Sequence, residues 1–262
     1  MPLQPVVPGG PVDAILRGLL AGMAAAAILF PVSVGSGLVG ELIRRPAPVQ
    51  KFSHAQLAAA RYAEFGDFSP SPQARHVADW VADSSDNAGA DFIVVDKKAA
   101  TVLVFDRHAR LRASSPVLLG GAVGDDSVPG IGSRPLDQIL PQERTTPAGR
   151  FVGERGRNAR GEDVVWVDYD AAVSMHRVLT VNSAERRLER LASETVADNR
   201  VSWGCINVPV AFFETYVSPL FARRQALIYV LPEVKTAQSV FGSYEVLAHS
   251  AKQGTHQMRQ KL

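Results

Sequence analysis

The sequence predicts a mainly β protein in which strands occupy the middle of the chain and a helix follows a single cysteine. Three observations carry this. Short apolar, β-branched runs recur from Asp91 onward, polar turn-like clusters separate them, and a glycine- and proline-rich stretch divides them into two groups. The runs FIVV, TVLVF and LRASSPVLL, separated by DKKAA and DRHAR, read as an antiparallel meander. GGAVGDDSVPGIGSRP reads as loop. In ERTTPAGRF, Pro147 sets φ for a tight turn and Gly149 closes it, launching a strand at Phe151. VVWVDY and AAVSMHRV follow as strands, and Ser183 to Ala197 has helical spacing at Leu188 and Leu191. SWGCINVP leads into a helix, VPVAFFETYVSPLF, and ALIYVLP closes as a strand.

Upstream, Gly18 to Val39 carries no charge, a run of 22 residues flanked by Arg17, Glu41, Arg44 and Arg45. A bilayer needs roughly 20 apolar residues. Residues 1–45 therefore read as an export signal or membrane anchor. Residues 46–90, rich in Pro, Ala, Ser and Asp, read as a helical spacer. Ser53 is a cap for one short helix, and Ser71-Pro72 opens a second through Trp80. His54 and His76 have no metal-ligand spacing and read as helix-surface residues. Residues 91–231 form the strand domain, and 232–262 a loosely held polar tail.

Lys+Arg number 28 against Asp+Glu 26, a net charge of +2, with no basic stripe or zinc-finger spacing. This excludes nucleic acid as the expected partner. One cysteine excludes a disulfide framework within the chain. A lone thiol in an oxidising compartment needs either burial or a task. Cys205 lies in S-W-G-C-I-N just before Val208-Pro209, and the proline places a helix start here. A thiol at such a start would be held toward thiolate by unpaired N–H groups, and Gly204 leaves room for a substrate. A thiolate needs a proton partner, and His176 ends an otherwise apolar strand.

TPAGRF, then VSMHR, then SWGCIN, in that order, resembles the L,D-transpeptidase catalytic domain family, which remodels bacterial peptidoglycan. The resemblance covers about residues 91–231 and implies a β-sandwich of that type. It puts Cys205 at the family nucleophile and His176 at the base. Ser202, Gly204, Ile206 and Asn207 fall on the rest of the signature, and Thr146, Pro147 and Gly149 on the turn. It implies ping-pong acyl transfer through a cysteine thioester on stem tetrapeptides, forming L,D cross-links. A backbone carbonyl would orient the base, and no metal or organic cofactor is needed. The N–H groups of Trp203, Gly204 and Cys205 would bind the oxyanion, with Ser202 and Asn207 beside the substrate. The partners implied are stem peptides and, through the N-terminal segment, the inner membrane, in a periplasmic or other extracytoplasmic setting. Oligomeric state is open.

Two departures stand out. Trp203 replaces the family histidine before Gly-Cys, and 29 positions separate His176 from Cys205, more than the family usually has. The surplus fits residues 183–197, read as a surface insertion in preference to a lid at the site. The alternatives are an L,D-carboxypeptidase or stem-peptide amidase of the same fold, and a non-catalytic wall-binding module.

Overall fold

A computed structural model describes residues 60–251 apart from Arg224, all within one unit, Gln50–Leu262. The apolar N-terminal run, Ser53, His54 and the last eleven residues of the chain lie outside the described residues. Among the described residues no helix is long and apolar enough to cross a membrane.

Helix α1 (Pro72–Ser84) begins where Ser71-Pro72 predicts, because the Ser71 hydroxyl accepts the Ala74 N–H at 3.1 Å. The strands follow as β1 (Phe92–Asp96), β2 (Thr101–Phe105), β3 (Leu111–Pro116), β4 (Leu119–Gly120), β5 (Gly149–Arg157), β6 (Asp163–Asp168), β7 (Val173–Arg177), β8 (Arg200–Ser202), β9 (Ile206–Val208) and β10 (Ala226–Val230). Eight of them form one mixed sheet in the order β3-β2-β1-β10-β5-β6-β7-β9, and β4 pairs with β8 separately. The expected meander is β1 to β3, paired antiparallel.

Alternation along β1 and β2 sends side chains to two cores. Ile93, Val95, Val102 and Val104 meet Val165, Met175 and Ile206 from the far end of the ladder. The sandwich-like interior thus comes from one sheet whose two halves share a core. On the other face, Phe92, Leu103, Phe105 and Tyr229 pack against Val77, Trp80 and Val81 of α1. The helix read as spacer is therefore part of the core, since its apolar stripe has no other surface to bury.

Of the segment expected to be a loose tail, the described part, residues 232–251, packs onto the domain. A short helix at Ala237–Phe241 places Phe241 against Trp80 with ring centroids 6.3 Å apart. Val246 is buried as well. His76 is no free helix-surface residue: it lies 2.9 Å from Ser243 Oγ and 3.0 Å from Glu245, tying α1 to this C-terminal segment.

Residues 183–197 form no continuous helix. A 3-10 turn (Ser183–Glu185) meets helix α2 (Arg187–Ala192) at Arg186, whose φ of +48° breaks the run. Leu191 then packs with Leu118 and Val178. Helix α3, spanning 210–223 with a π turn at Phe213–Val217, covers the first core, and α4 (Ala237–Phe241) follows β10.

Candidate active site

Two neighbouring parallel strands build the site. β7 pairs with β9 in the register Met175↔Ile206, His176↔Asn207 and Arg177↔Val208. Side chains alternate along a strand, so Ser174 and His176 share one face of β7 while Met175 enters the core. Cys205 sits immediately before β9 and reaches the same face. Its sulfur lies 3.7 Å from Ser174 Oγ and 3.7 Å from the Ala172 carbonyl.

The cysteine is not at a helix start. Helix α3 begins at Val210 with Pro209 as its N-cap, because residues 206–208 are first taken up by pairing with β7. The helix dipole acts only over its first turn and so falls short of the thiol. Another set of groups replaces it. Burial pushes the Cys205 thiol up. A hydrogen bond from the His176 ring, the charge of that ring, and the Ser174 N–H and hydroxyl together outweigh burial and hold the thiol below its usual range.

His176 is held in turn. Its Nδ1 lies 2.7 Å from the Arg177 carbonyl oxygen, which can only accept, so Nδ1 carries the proton and Nε2 is left for the thiol. The backbone-carbonyl orienter expected from the resemblance is thus present.

The Cys205 loop is pinned from three sides. Ser202 Oγ donates to the Cys205 carbonyl at 2.6 Å, and Asn207 Nδ2 donates to the same oxygen at 3.1 Å. Thr146 Oγ1 donates to the Gly204 carbonyl at 2.8 Å and accepts the Gly120 N–H at 2.9 Å. Gly204 has φ +133°, and a Cβ there would come 2.8 Å from the Thr145 carbonyl oxygen. Only glycine fits. Of the residues expected to hold substrate or oxyanion, Ser202 and Asn207 therefore spend these groups on the loop backbone. The Gly204 N–H already donates to Ser202 Oγ at 3.1 Å, which takes it out of the oxyanion set.

Trp203 forms a wall. The Arg144 guanidinium lies 3.6 Å above its ring, a cation–π contact. An indole offers one N–H donor and no base, so this position has no proton-transfer role.

His176, Cys205, Ser202, Trp203 and Asn207 all line one cleft of about 420 Å³. Its apolar lining comes from Ile131, Leu136 and Ile139 of the long loop together with Leu179 and Val181. Three further residues matter here that the sequence reading did not assign: Ser174, Arg144 and Arg187. Ser174 was legible as the residue two before His176 on the same strand face. Arg187 was not, because it comes from the segment read as a surface insertion. Among the described residues no cluster of His, Cys, Asp or Glu has the arrangement of a metal site.

A buried ionic group braces the rim. Lys97 Nζ contacts Asp125 Oδ1 at 2.9 Å and the Thr146 carbonyl at 2.8 Å, and Glu233 pairs with Arg200 of β8. Asp125 also accepts the N–H groups of Glu233, Val234 and Lys235. The TPAG turn, the glycine-rich loop and the C-terminal segment thus meet on one ammonium and one carboxylate.

No protein-family profile and no curated protein matches the chain. Solved structures similar to it include L,D-transpeptidase 1 of Mycobacterium tuberculosis (19% identity, TM-score 0.29, 54% of this chain and 61% of that one). Another is the helical cell shape determining protein Pgp2 of Campylobacter jejuni (12%, TM-score 0.39, 66% and 58%). A third is an L,D-transpeptidase of Xylanimonas cellulosilytica (13%, TM-score 0.33, 54% and 60%). The chain spans about three fifths of each of those chains.

Proposed function

We propose that the protein is a cysteine acyltransferase of the L,D-transpeptidase type, acting on peptidoglycan stem tetrapeptides outside the cytoplasm. The observation that carries the reading is the meeting of Cys205 and His176 in one cleft, with the imidazole fixed by the Arg177 carbonyl.

The thiolate of Cys205 attacks the carbonyl at the L-centre of the diamino acid. A C–S bond forms as the carbonyl electrons move to oxygen, with the Trp203 and Cys205 N–H groups as the candidate oxyanion donors. His176, holding the thiol proton on Nε2, gives it to the departing D-alanine amine as the C–N bond breaks. A side-chain amine of a second stem then attacks the thioester and loses its proton to His176, and the C–S bond breaks to release Cys205 as the thiolate. Water in place of that amine gives the carboxypeptidase outcome, which uses the same residues and differs only in the acceptor.

The test is product analysis by mass spectrometry on purified muropeptides, with and without an amine acceptor. L,D cross-linked dimers from the wild type and none from Cys205→Ala are expected. Tripeptide without dimers would assign the hydrolytic reading, and undiminished product from Cys205→Ala would remove the nucleophile.

A further inference from the structure

Within residues 183–197, which the sequence marks as a surface insertion, Glu185 and Arg187 line the cleft. The left-handed Arg186 turns the chain between the 3-10 turn and α2, and Leu191 anchors the helix in the small core with Leu118 and Val178. Arg190 fastens the base of the segment by donating to the Glu185 and Asp198 carbonyls at 2.9 and 3.1 Å. These ties deliver Arg187 to the cleft wall with its side chain only 10% exposed.

Arg187 is one contact removed from the nucleophile loop. Its Nη1 donates to Asn207 Oδ1 at 2.7 Å, and Asn207 in turn holds the Cys205 carbonyl. Its Nε donates to Glu185 at 2.5 Å. Nη2 makes no hydrogen bond among the described residues, so a cleft-lining guanidinium held through Nε and Nη1 keeps a further donor group without a protein partner.

The charge around it is lopsided. Arg134, Arg160 and Arg187 line the cleft against one acid, Glu185. Arg134 is neutralised from behind by both Glu143 oxygens at 3.1 Å. Arg160 has no ion-pair partner among the described residues. Arg160, an exposed residue of the cleft lining, is the guanidinium left without a carboxylate, while Arg187 shares its charge with Glu185 and keeps Nη2 as a donor. Guanidinium groups held this way suit a planar carboxylate.

We propose that Arg187 is a specificity-determining residue that binds a free carboxylate of the peptide acyl donor, with Arg160 adding charge across the cleft. The proposal rests on the acyl-transfer reading for the identity of the donor. A tetrapeptide stem offers two such groups near the attacked carbonyl: the terminal carboxylate of the departing residue and the carboxylate on the diamino acid side chain. The recognition chemistry is the same for both.

The test separates the two sources and is independent of turnover. Binding of a synthetic tetrapeptide to full-length Cys205→Ala is measured by calorimetry, with the peptide as free acid, as C-terminal amide and as side-chain amide. The same titrations are run on Cys205→Ala carrying Arg187→Gln or Arg187→Lys, with thermal midpoints recorded for each. Arg187→Gln is expected to weaken free-acid binding at least tenfold and to leave binding of one amide within twofold. That amide identifies the carboxylate read. Arg187→Lys should restore part of the free-acid affinity. An equal loss on all three peptides would show that Arg187 acts only through Asn207 and overturn the proposal, as would equal affinity of the Cys205→Ala protein for acid and amides. Wild-type turnover is followed in parallel. A preserved acid-over-amide contrast without turnover would sink the acyl-transfer reading alone, whereas turnover without the contrast would sink this inference alone. No binding of any of the peptides would overturn both.

Discussion

The Thr146 hydroxyl donates to the Gly204 carbonyl across 2.8 Å, joining two stretches of chain 58 residues apart at the residue before the thiol. Thr146 is fully buried, and its oxygen also accepts the Gly120 N–H. The TPAG turn therefore works as the clamp of the Cys205 loop, and this gives the turn its place beside the site. Thr146→Val keeps the shape and removes both bonds. The expected cost is about 1–3 kcal/mol of unfolding free energy from the orphaned groups, read by urea denaturation, with slower alkylation of Cys205.

Gly204 faces a harsher constraint. Its φ of +133° disfavours any side chain, and a methyl group would come 2.8 Å from the Thr145 carbonyl oxygen. Gly204→Ala is expected to cost about 1–3 kcal/mol in backbone strain, with the clash in addition. A Tm unchanged from wild type would contradict the loop geometry described.

Much of this was legible in the sequence. Short apolar, β-branched runs bounded by turn-like clusters located the strands, and S-W-G-C-I-N with VSMH named the cysteine and the histidine, because residue composition and short motifs are local signals. What failed was non-local. Proline after Cys205 suggested a helix start, but β7 lies alongside and claims residues 206–208 as a strand first. Charged residues made 183–197 look like surface, since no local signal reveals that Leu191 finds Leu118 and Val178. The α1 stripe and Phe241 looked dispensable until the sheet supplied the face they cover.

Thiol reactivity should report the His176 contact. The groups around Cys205 hold its pKa below the ordinary thiol value, so thiolate appears at lower pH than in free cysteine. The pH profile of iodoacetamide alkylation is expected to have its midpoint below that of a cysteine peptide. His176→Ala removes the bond and charge that favour thiolate, so its midpoint should move to higher pH. A midpoint that stays put in the variant would sever the two residues.

Asp125 makes a separate stability prediction. Burial would raise its carboxyl, but the Lys235 and Glu233 N–H groups, the Lys97 ammonium and the Val234 N–H bring it down to about 2. A depressed folded value means the carboxylate contributes stability fully above the unfolded value of about 3.9. That contribution, about 2.6 kcal/mol, is lost as pH falls through the folded value of about 2. Asp125→Asn leaves Lys97 buried beside a neutral amide. It should destabilise by about 3 kcal/mol at pH 7, with a smaller acid dependence than wild type.

The most direct measurement is intact-protein and peptide mass spectrometry after brief mixing with a stem tetrapeptide and no amine acceptor. The wild type is expected to gain the mass of the tripeptide acyl group, with one D-alanine lost, mapped to Cys205. His176→Ala should accumulate it far more slowly, and Cys205→Ala not at all. An acyl group on any other residue, or wild-type adduct formation at an undiminished rate in His176→Ala, would contradict the pairing of this thiol with this imidazole.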